Sequence, residues 1–314
     1  MDIEAYRRLQ QRILLPAEGE IPSPPLRQDE EQESALCRID RTWRLIEQYP
    51  LASSRPSGFL VPTEIESWSA LKRWFSSHHL FIPQLALTGY CLGEVIRATE
   101  DGKPEQARYW MRLASRLRKG CGALFMFAVD YSPCAAIYCE VIRKNMPEAF
   151  SGFWIRERQH YYLPALKQLS STCPSSSADE LCVTLRKEWS AAERRYHELH
   201  EQSMYLAVPD GVSLARSYRH ETGKGHEITE REFQCYDTWF CIDRSGELTR
   251  LEYIFQVCDV IERVVADLAT GHSLEAGVTR DLLDGAKATM VVFGQWAGPV
   301  SERSAFYPKS LRGE

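Results

Sequence analysis

From about residue 32 to residue 293, apolar side chains recur again and again at the spacing of a helix face, and convincing alternating runs of the kind a half-buried strand needs are absent. That periodicity leaves few architectures open. The chain is expected to be all-α, a single large helical domain in which each amphipathic rod buries one stripe against its neighbours. With 314 residues and 44% apolar content it is long enough to bury a sizeable core. The spacing predicts a short amphipathic helix over 2–14, then an exposed Pro- and Glu-rich arm over 16–33, so that 1–34 forms an N-terminal appendage. Helix resumes near Gln32 and stops before Pro50. After a Ser/Pro/Gly-rich loop over 52–58, the Pro62-Thr63-Glu64 start opens a segment in which Trp68, Leu71, Trp74 and Phe75 recur at helical spacing, and a buried helix follows from His79 to Thr99. Further helices are expected over 104–129, 133–145, 154–169, from Asp179 through His197, and over 228–240, 249–269 and 275–291. The run Thr289-Met290-Val291-Val292-Phe293 reads as strand or helix, and a loose tail is expected from Gly294. The division is therefore 1–34, a helical domain over 35–293, and a tail over 294–314.

Charge and cysteine usage narrow the function. A net charge of −5 gives no basic footprint of the kind nucleic-acid binding requires. No window approaches the roughly 20 apolar residues of a membrane span, and the first residues lack a secretion signal. A soluble, cytoplasmic protein without nucleic-acid or membrane partners is expected. The ten cysteines are scattered, with no CxxC pair, so they are read as reduced, core-forming thiols rather than a zinc or iron–sulfur cage.

The chemistry concentrates in histidines. His197 and His200 lie three residues apart on a long helix, the spacing at which two side chains share a face, so either both bind one ion or they are structural. His78 and His79 form a second pair; they are either functional imidazoles or a polar helix start.

The context of these residues resembles a known superfamily. Arg195-Tyr196-His197, followed by Met204-Tyr205-Leu206-Ala207-Val208-Pro209, is similar to the proximal-histidine helix of indoleamine and tryptophan dioxygenases. Tyr131-Ser132-Pro133, Val141-Ile142-Arg143 and Phe150-Ser151-Gly152-Phe153-Trp154 resemble the "TP…FR…ASGFQS" block of tryptophan dioxygenase. His79-Leu80-Phe81-Ile82 resembles the "LFI" opening of that family's distal helix. Departures accompany the matches. Leu85 stands where the dioxygenases carry a distal histidine, Trp154 and Ile155 replace the glutamine and serine, and Thr222-Gly223-Lys224-Gly225 is a faint trace of the glycine-rich loop. The combination looks more like the haem-dependent tyrosine hydroxylases of antibiotic pathways.

That resemblance implies haem b with His197 as axial iron ligand, and His200 as a supporting or structural residue. It also implies hydroxylation of L-tyrosine, or of a substituted tyrosine, ortho to the phenol, with hydrogen peroxide or dioxygen as co-substrate. His79, or His78, would be the distal catalytic group, since an imidazole can meet a buried phenol and manage a peroxide proton. Arg143 would bind the carboxylate through a two-pronged contact, with Lys144 as its competitor. Phe81 and Trp154 would wall the substrate, and Ser151 and Gly152 would lie over the haem. The family comparison and the N-terminal arm suggest a homo-oligomer. The alternatives are a tryptophan or indole 2,3-dioxygenase or indole monooxygenase of the same superfamily, and a non-enzymatic helical binding protein.

Overall fold

In the computed structural model, residues 12–22, 26, 30–49, 64–130, 138, 143, 152–208 and 227–297 are described. They form an all-α fold of eight helices: α1 (Glu30–Gln48), α2 (Glu64–Glu100), α3 (Pro104–Ala128), α4 (Leu163–Thr172), α5 (Glu180–Ala207), α6 (Glu230–Trp239), α7 (Arg250–Thr270) and α8 (Ala276–Trp296). The helix starts follow from the sequence. Thr229 with Glu232 and Thr249 with Glu252 close reciprocal capping boxes on α6 and α7, and the Asp179 carboxylate accepts from Cys182 N at the start of α5. Pro104 opens α3, where a missing N–H costs nothing.

Four details differ from the periodicity. The two segments expected around Trp74 and after His79 are one continuous helix, α2, which runs through Pro83. Proline deprives the His79 carbonyl of its helical donor, yet the apolar faces on either side are buried against α3, and packing overrides the local break. The end of the expected N-terminal helix is instead a strand, β1 (Ile13–Pro16), paired in parallel with β2 (Ile242–Ser245) in the register Ile13 to Ile242. Within the expected exposed arm Ile21 and Leu26 are buried, whereas Glu18, Glu20, Glu30 and Glu33 are exposed. Leu14 N donates to Gln256 Oε1 at 2.6 Å and Arg244 to the Pro16 carbonyl at 3.1 Å, which anchors the strand to the body. Finally, Thr289–Phe293 is helical, and Gly294 lies buried inside α8 rather than opening a tail. The expected helix over 133–145 lies almost wholly outside the described residues.

Helix α3 organises the bundle, packing against α2, α5 and α8. Its Lys119-Gly120-Cys121-Gly122-Ala123 stretch explains how three neighbours fit around one rod. A β-carbon on Gly120 would lie 2.8 Å from the Cα of Gly285 on α8, and one on Gly122 would lie 3.0 Å from the Cα of Tyr196 on α5. Both contacts are with backbone, which cannot swing aside. A second tie closes the other end: Arg73 on α2 donates to the carbonyls of Asp130 and Gly271, while the Asp130 carboxylate accepts from Ser273 N.

Substituting Gly285→Ala should push α3 and α8 apart, at a cost of about 1–3 kcal/mol of stability. Urea unfolding monitored by circular dichroism measures this; a midpoint equal to the parent's would show that the crossing is looser than the 2.8 Å approach implies.

Candidate active site

Of the expected functional residues, His78, His79 and Phe81 lie on α2 and His197 and His200 on α5, and a layer of rings that includes Phe125 of α3 links the two helices. His78 and His79 are consecutive on α2 and both are buried. His78 Nδ1 lies 2.7 Å from the Trp74 carbonyl, and His79 Nε2 lies 2.6 Å from the Phe240 carbonyl. A carbonyl only accepts, so each of these nitrogens carries the proton, and the neutral tautomers are thereby assigned: Nδ1–H for His78 and Nε2–H for His79. The remaining nitrogen of each ring is a bare acceptor. Burial holds both imidazoles well below the ordinary value of 6.5, His78 to about 3 and His79 to about 4. As they stand, the two rings can accept a hydrogen bond, but they are weak bases.

The layer continues from them. His78 stacks on Phe240 with centroids 4.0 Å apart and meets Phe125 edge-on at 6.4 Å. Phe81, also buried, contacts Phe125 at 4.9 Å. On the other side of Phe125 stands His200 at 4.7 Å, its ring parallel to Tyr196 at 6.0 Å. Burial, reinforced by the charges of His197 and Arg118, lowers His200 to about 4. Phe125 therefore touches His78, Phe81, Tyr196 and His200 together.

His197 is different. One turn before His200, its side chain is 63% exposed and its Nε2 lies 3.4 Å from a Glu193 carboxylate oxygen. The two histidines thus do not converge: His200 faces the ring layer, and His197 faces the surface beside Glu193. Among the described residues no three histidine, cysteine or carboxylate side chains gather as a metal cage. The carboxylate orients the exposed ring and strengthens it as a donor, which is what a single imidazole ligand to a metal needs.

Glu193 is itself held from behind. Arg118 on α3 donates from Nε to one carboxylate oxygen at 2.6 Å and from Nη2 to the other at 3.1 Å, and Tyr162 Oη adds a bond of 2.7 Å. The guanidinium lies 3.4 Å from the Tyr196 ring centroid and 5.0 Å from that of Tyr162. Burial alone would raise the Glu193 carboxyl; Arg118 and the Tyr162 hydroxyl reverse this and hold it below the usual range. Neither Arg118 nor Glu193 was singled out from the sequence. Arg118 is hidden in the basic Arg116-Leu117-Arg118-Lys119 run, which reads as a solvated face, whereas Glu193 stands four residues before His197 and is visible as an i, i+4 pair.

Trp154 ends a short 3-10 turn, Gly152–Trp154, and is buried, whereas Gly152 is exposed with open space where a side chain would project. Arg143 is exposed. Lys144 and Ser151 lie outside the described residues, as do the Tyr131-Ser132-Pro133 and Thr222–Gly225 motifs. Leu85 is buried in the core of α2.

Three imidazoles kept neutral by burial make the fold acid-sensitive. As pH falls from about 6.5 toward about 4, the unfolded chain takes up protons at His78, His79 and His200 that the folded chain refuses, so stability is full above this window and is lost on descending through it. Each ring contributes at most about 1.4 kcal/mol per pH unit. Urea midpoints across the window give the slope, and the ring-proton resonances of the folded protein give its source. Titration of these rings at the ordinary histidine value would refute the assignment.

A search of curated proteins returns no match. A family model does match: residues 38–181 align with the family described as SfmD 3-methyl-L-tyrosine peroxygenase. The matched span holds His78, His79, Phe81, Arg118, Arg143, Lys144, Ser151, Gly152, Trp154 and Tyr162, and ends at Leu181, ahead of Glu193 and His197. No helix among the described residues is long and apolar enough to cross a membrane. Over residues 38–181 the sequence motifs and the family model thus agree, and this span resembles the haem-dependent, tyrosine-modifying peroxygenases of the tryptophan dioxygenase-like superfamily.

Proposed function

We propose that this chain hydroxylates the aromatic ring of L-tyrosine or a ring-substituted tyrosine ortho to the phenol, with hydrogen peroxide as oxidant, as a step in natural-product biosynthesis. The observation that carries the proposal is the match of residues 38–181 to a peroxygenase family described by its action on 3-methyl-L-tyrosine. The cofactor proposed is haem b, held through His197. When bound, haem supplies peroxide activation and oxygen transfer to the ring.

The protein's own contribution is to orient, to exclude water and to hold protons. Glu193, fixed by Arg118 and Tyr162, lies 3.4 Å from Nε2 of His197 and orients the ring, which would leave the other ring nitrogen for iron. His200, facing Tyr196 and Phe125, supports the helix that presents His197. His79 is proposed as the distal group. Its Nδ1, bare because Nε2–H is committed to the Phe240 carbonyl, is an acceptor suited to a phenolic O–H, and its low basicity keeps it neutral at working pH. His78, with the same tautomer logic on Trp74, is the adjacent candidate. Phe81 and Trp154 are assigned to the apolar walls, Ser151 and Gly152 to the haem face. Exposed Arg143 takes the amino-acid carboxylate, with Lys144 beside it, because a guanidinium can hold both carboxylate oxygens at once.

Purified protein reconstituted with haemin should give a stoichiometric Soret band that shifts on adding tyrosine. His197→Ala should abolish haem retention, whereas His200→Ala should keep it, with at most weaker binding. The opposite pair of spectra would move the ligand by one turn of α5.

His79→Gln provides a separate check on the distal role, since its amide can still donate to the Phe240 carbonyl. This variant should fold, retain haem and lose tyrosine hydroxylation by on the order of 100-fold, the scale of a lost proton-handling group. Unchanged product formation by chromatography would remove His79 from the site.

A further inference from the structure

The functional reading leaves one close chemical juxtaposition unused. Cys173, which ends α4, and Cys182, in the first turn of α5, place their sulfur atoms 2.8 Å apart. Both thiols are buried and both are free. Two unbonded sulfurs do not normally approach so closely; the separation is nearer to the roughly 2.0 Å of a disulfide than to an ordinary packing contact. Among the described cysteines this is a pair rather than a lone thiol.

The local structure holds the two sulfurs in place. Arg186, one turn farther along α5, donates to the Pro174 carbonyl and, at 3.0 Å, to the Ser177 carbonyl, which clamps the connection between the helices. Asp179 caps α5 through Cys182 N at 2.9 Å, and Asp179 N donates to Ser177 Oγ at 3.3 Å. The pair also has an entrance. A cavity of about 390 Å³ between α4 and α5 is lined by Leu169, Ser170, Cys173, Arg186, Trp189 and Ser190. Hydrogen peroxide, hardly larger than water, fits such a cavity with ample room.

We propose that Cys173 and Cys182 form a reversible, peroxide-driven disulfide that staples α4 to α5. The Cys173 sulfur, which lines the cavity, attacks a peroxide oxygen: an S–O bond forms, the O–O bond breaks, and one water leaves with the thiol proton. The Cys182 sulfur then attacks the resulting sulfenic sulfur. The S–S bond forms, the S–O bond breaks, and a second water carries off the Cys182 proton. Two thiols and one peroxide thus give one disulfide and two waters, the thiols being oxidised and the peroxide reduced. Burial and the bond from Cys182 push the Cys173 thiol up to about 12, so the reaction is slow and self-limiting rather than that of a fast peroxide scavenger. Helix α5 carries Glu193 and His197, and the staple fixes the start of that helix. This inference does not rest on haem or on tyrosine hydroxylation, and it is read out without either.

The test uses the purified full chain, incubated with hydrogen peroxide or with dithiothreitol, then alkylated, digested without reduction and mapped by mass spectrometry. The peroxide-treated protein should lose two alkylatable thiols and yield a linked 173–182 peptide pair lighter by two hydrogens, and dithiothreitol should restore both thiols. Its thermal midpoint should rise by about 2–4 °C, the scale expected when a short loop is closed in a chain of this size. In the double variant C173S/C182S that rise should vanish. Cysteines 173 and 182 that stay alkylatable, pair with other cysteines, or end as irreversible sulfinic acids would overturn the proposal. The peptide map of the unaltered protein decides this even if the double variant does not fold.

Discussion

The bidentate pairing of Arg118 with Glu193 is the contact on which the arrangement around α5 depends. A guanidinium this deeply buried is costly to desolvate, and an unpaired one would be prohibitive. The protein meets that cost with both carboxylate oxygens of Glu193, with the Tyr196 ring packed face-on at 3.4 Å, and with the Tyr162 ring on the remaining side. Lysine could not satisfy this geometry, because it offers a point charge where a planar fork is used. The pair fixes the rotation of α5 against α3. Tyr196 and His200 consequently face inward and His197 outward, although all three lie within two turns of helix.

Polar groups in the ring layer are tolerated on the same terms. His78 and His79 enter an aromatic core only because each donates to a carbonyl within hydrogen-bond reach, and the neutral form is the one that burial permits. The Phe240 carbonyl that receives His79 lies just past the C-terminus of α6, among the carbonyls a helix leaves unpaired. One hydrogen bond therefore settles two polar groups, and it ties α2 to the α6–β2 corner. That corner is locked further by Arg244, which bridges Glu157 and Asp237, and by Arg156, which bridges Asp237 and Glu230.

The sequence carried the helical part of this fold well, for physical reasons that can be named. Period-3.6 patterning and capping residues are local signals, and Asp179, Thr229 and Thr249 cap helices within a residue or two of where the pattern starts. Strand β1 was not legible. Its four residues owe their shape to pairing with Ile242–Ser245, more than 200 positions away, and no local pattern encodes that partner. The continuity of α2 through Pro83 was hidden for a similar reason, since proline's penalty is local and the burial that outweighs it is not. At the candidate site, the motifs brought out the histidines but not the groups that govern them. Glu193, though not singled out, stands as an i, i+4 neighbour of His197 that the spacing could have disclosed. Arg118 was not, because nothing in a basic run along a helix distinguishes the one guanidinium that points inward from those that meet water.

The family match and the fold divide the chain differently, and the difference is informative. The match ends at Leu181, in the first turn of α5, while the rest of that helix, with Glu193, His197 and His200, lies beyond it. Yet α5 is the partner against which α3, wholly within the match, is shaped. Gly122 has no side chain because Tyr196 passes within 3.0 Å of where one would be, Arg118 is aimed at Glu193, and Phe125 is sandwiched toward His200. Residues inside the matched span thus have no physical explanation without the helix outside it. The surface of α3 is complementary to that of α5 in volume, charge and ring geometry at once. A site built on His197 would for that reason be supported by the matched segment, even though its ligand is supplied from outside it.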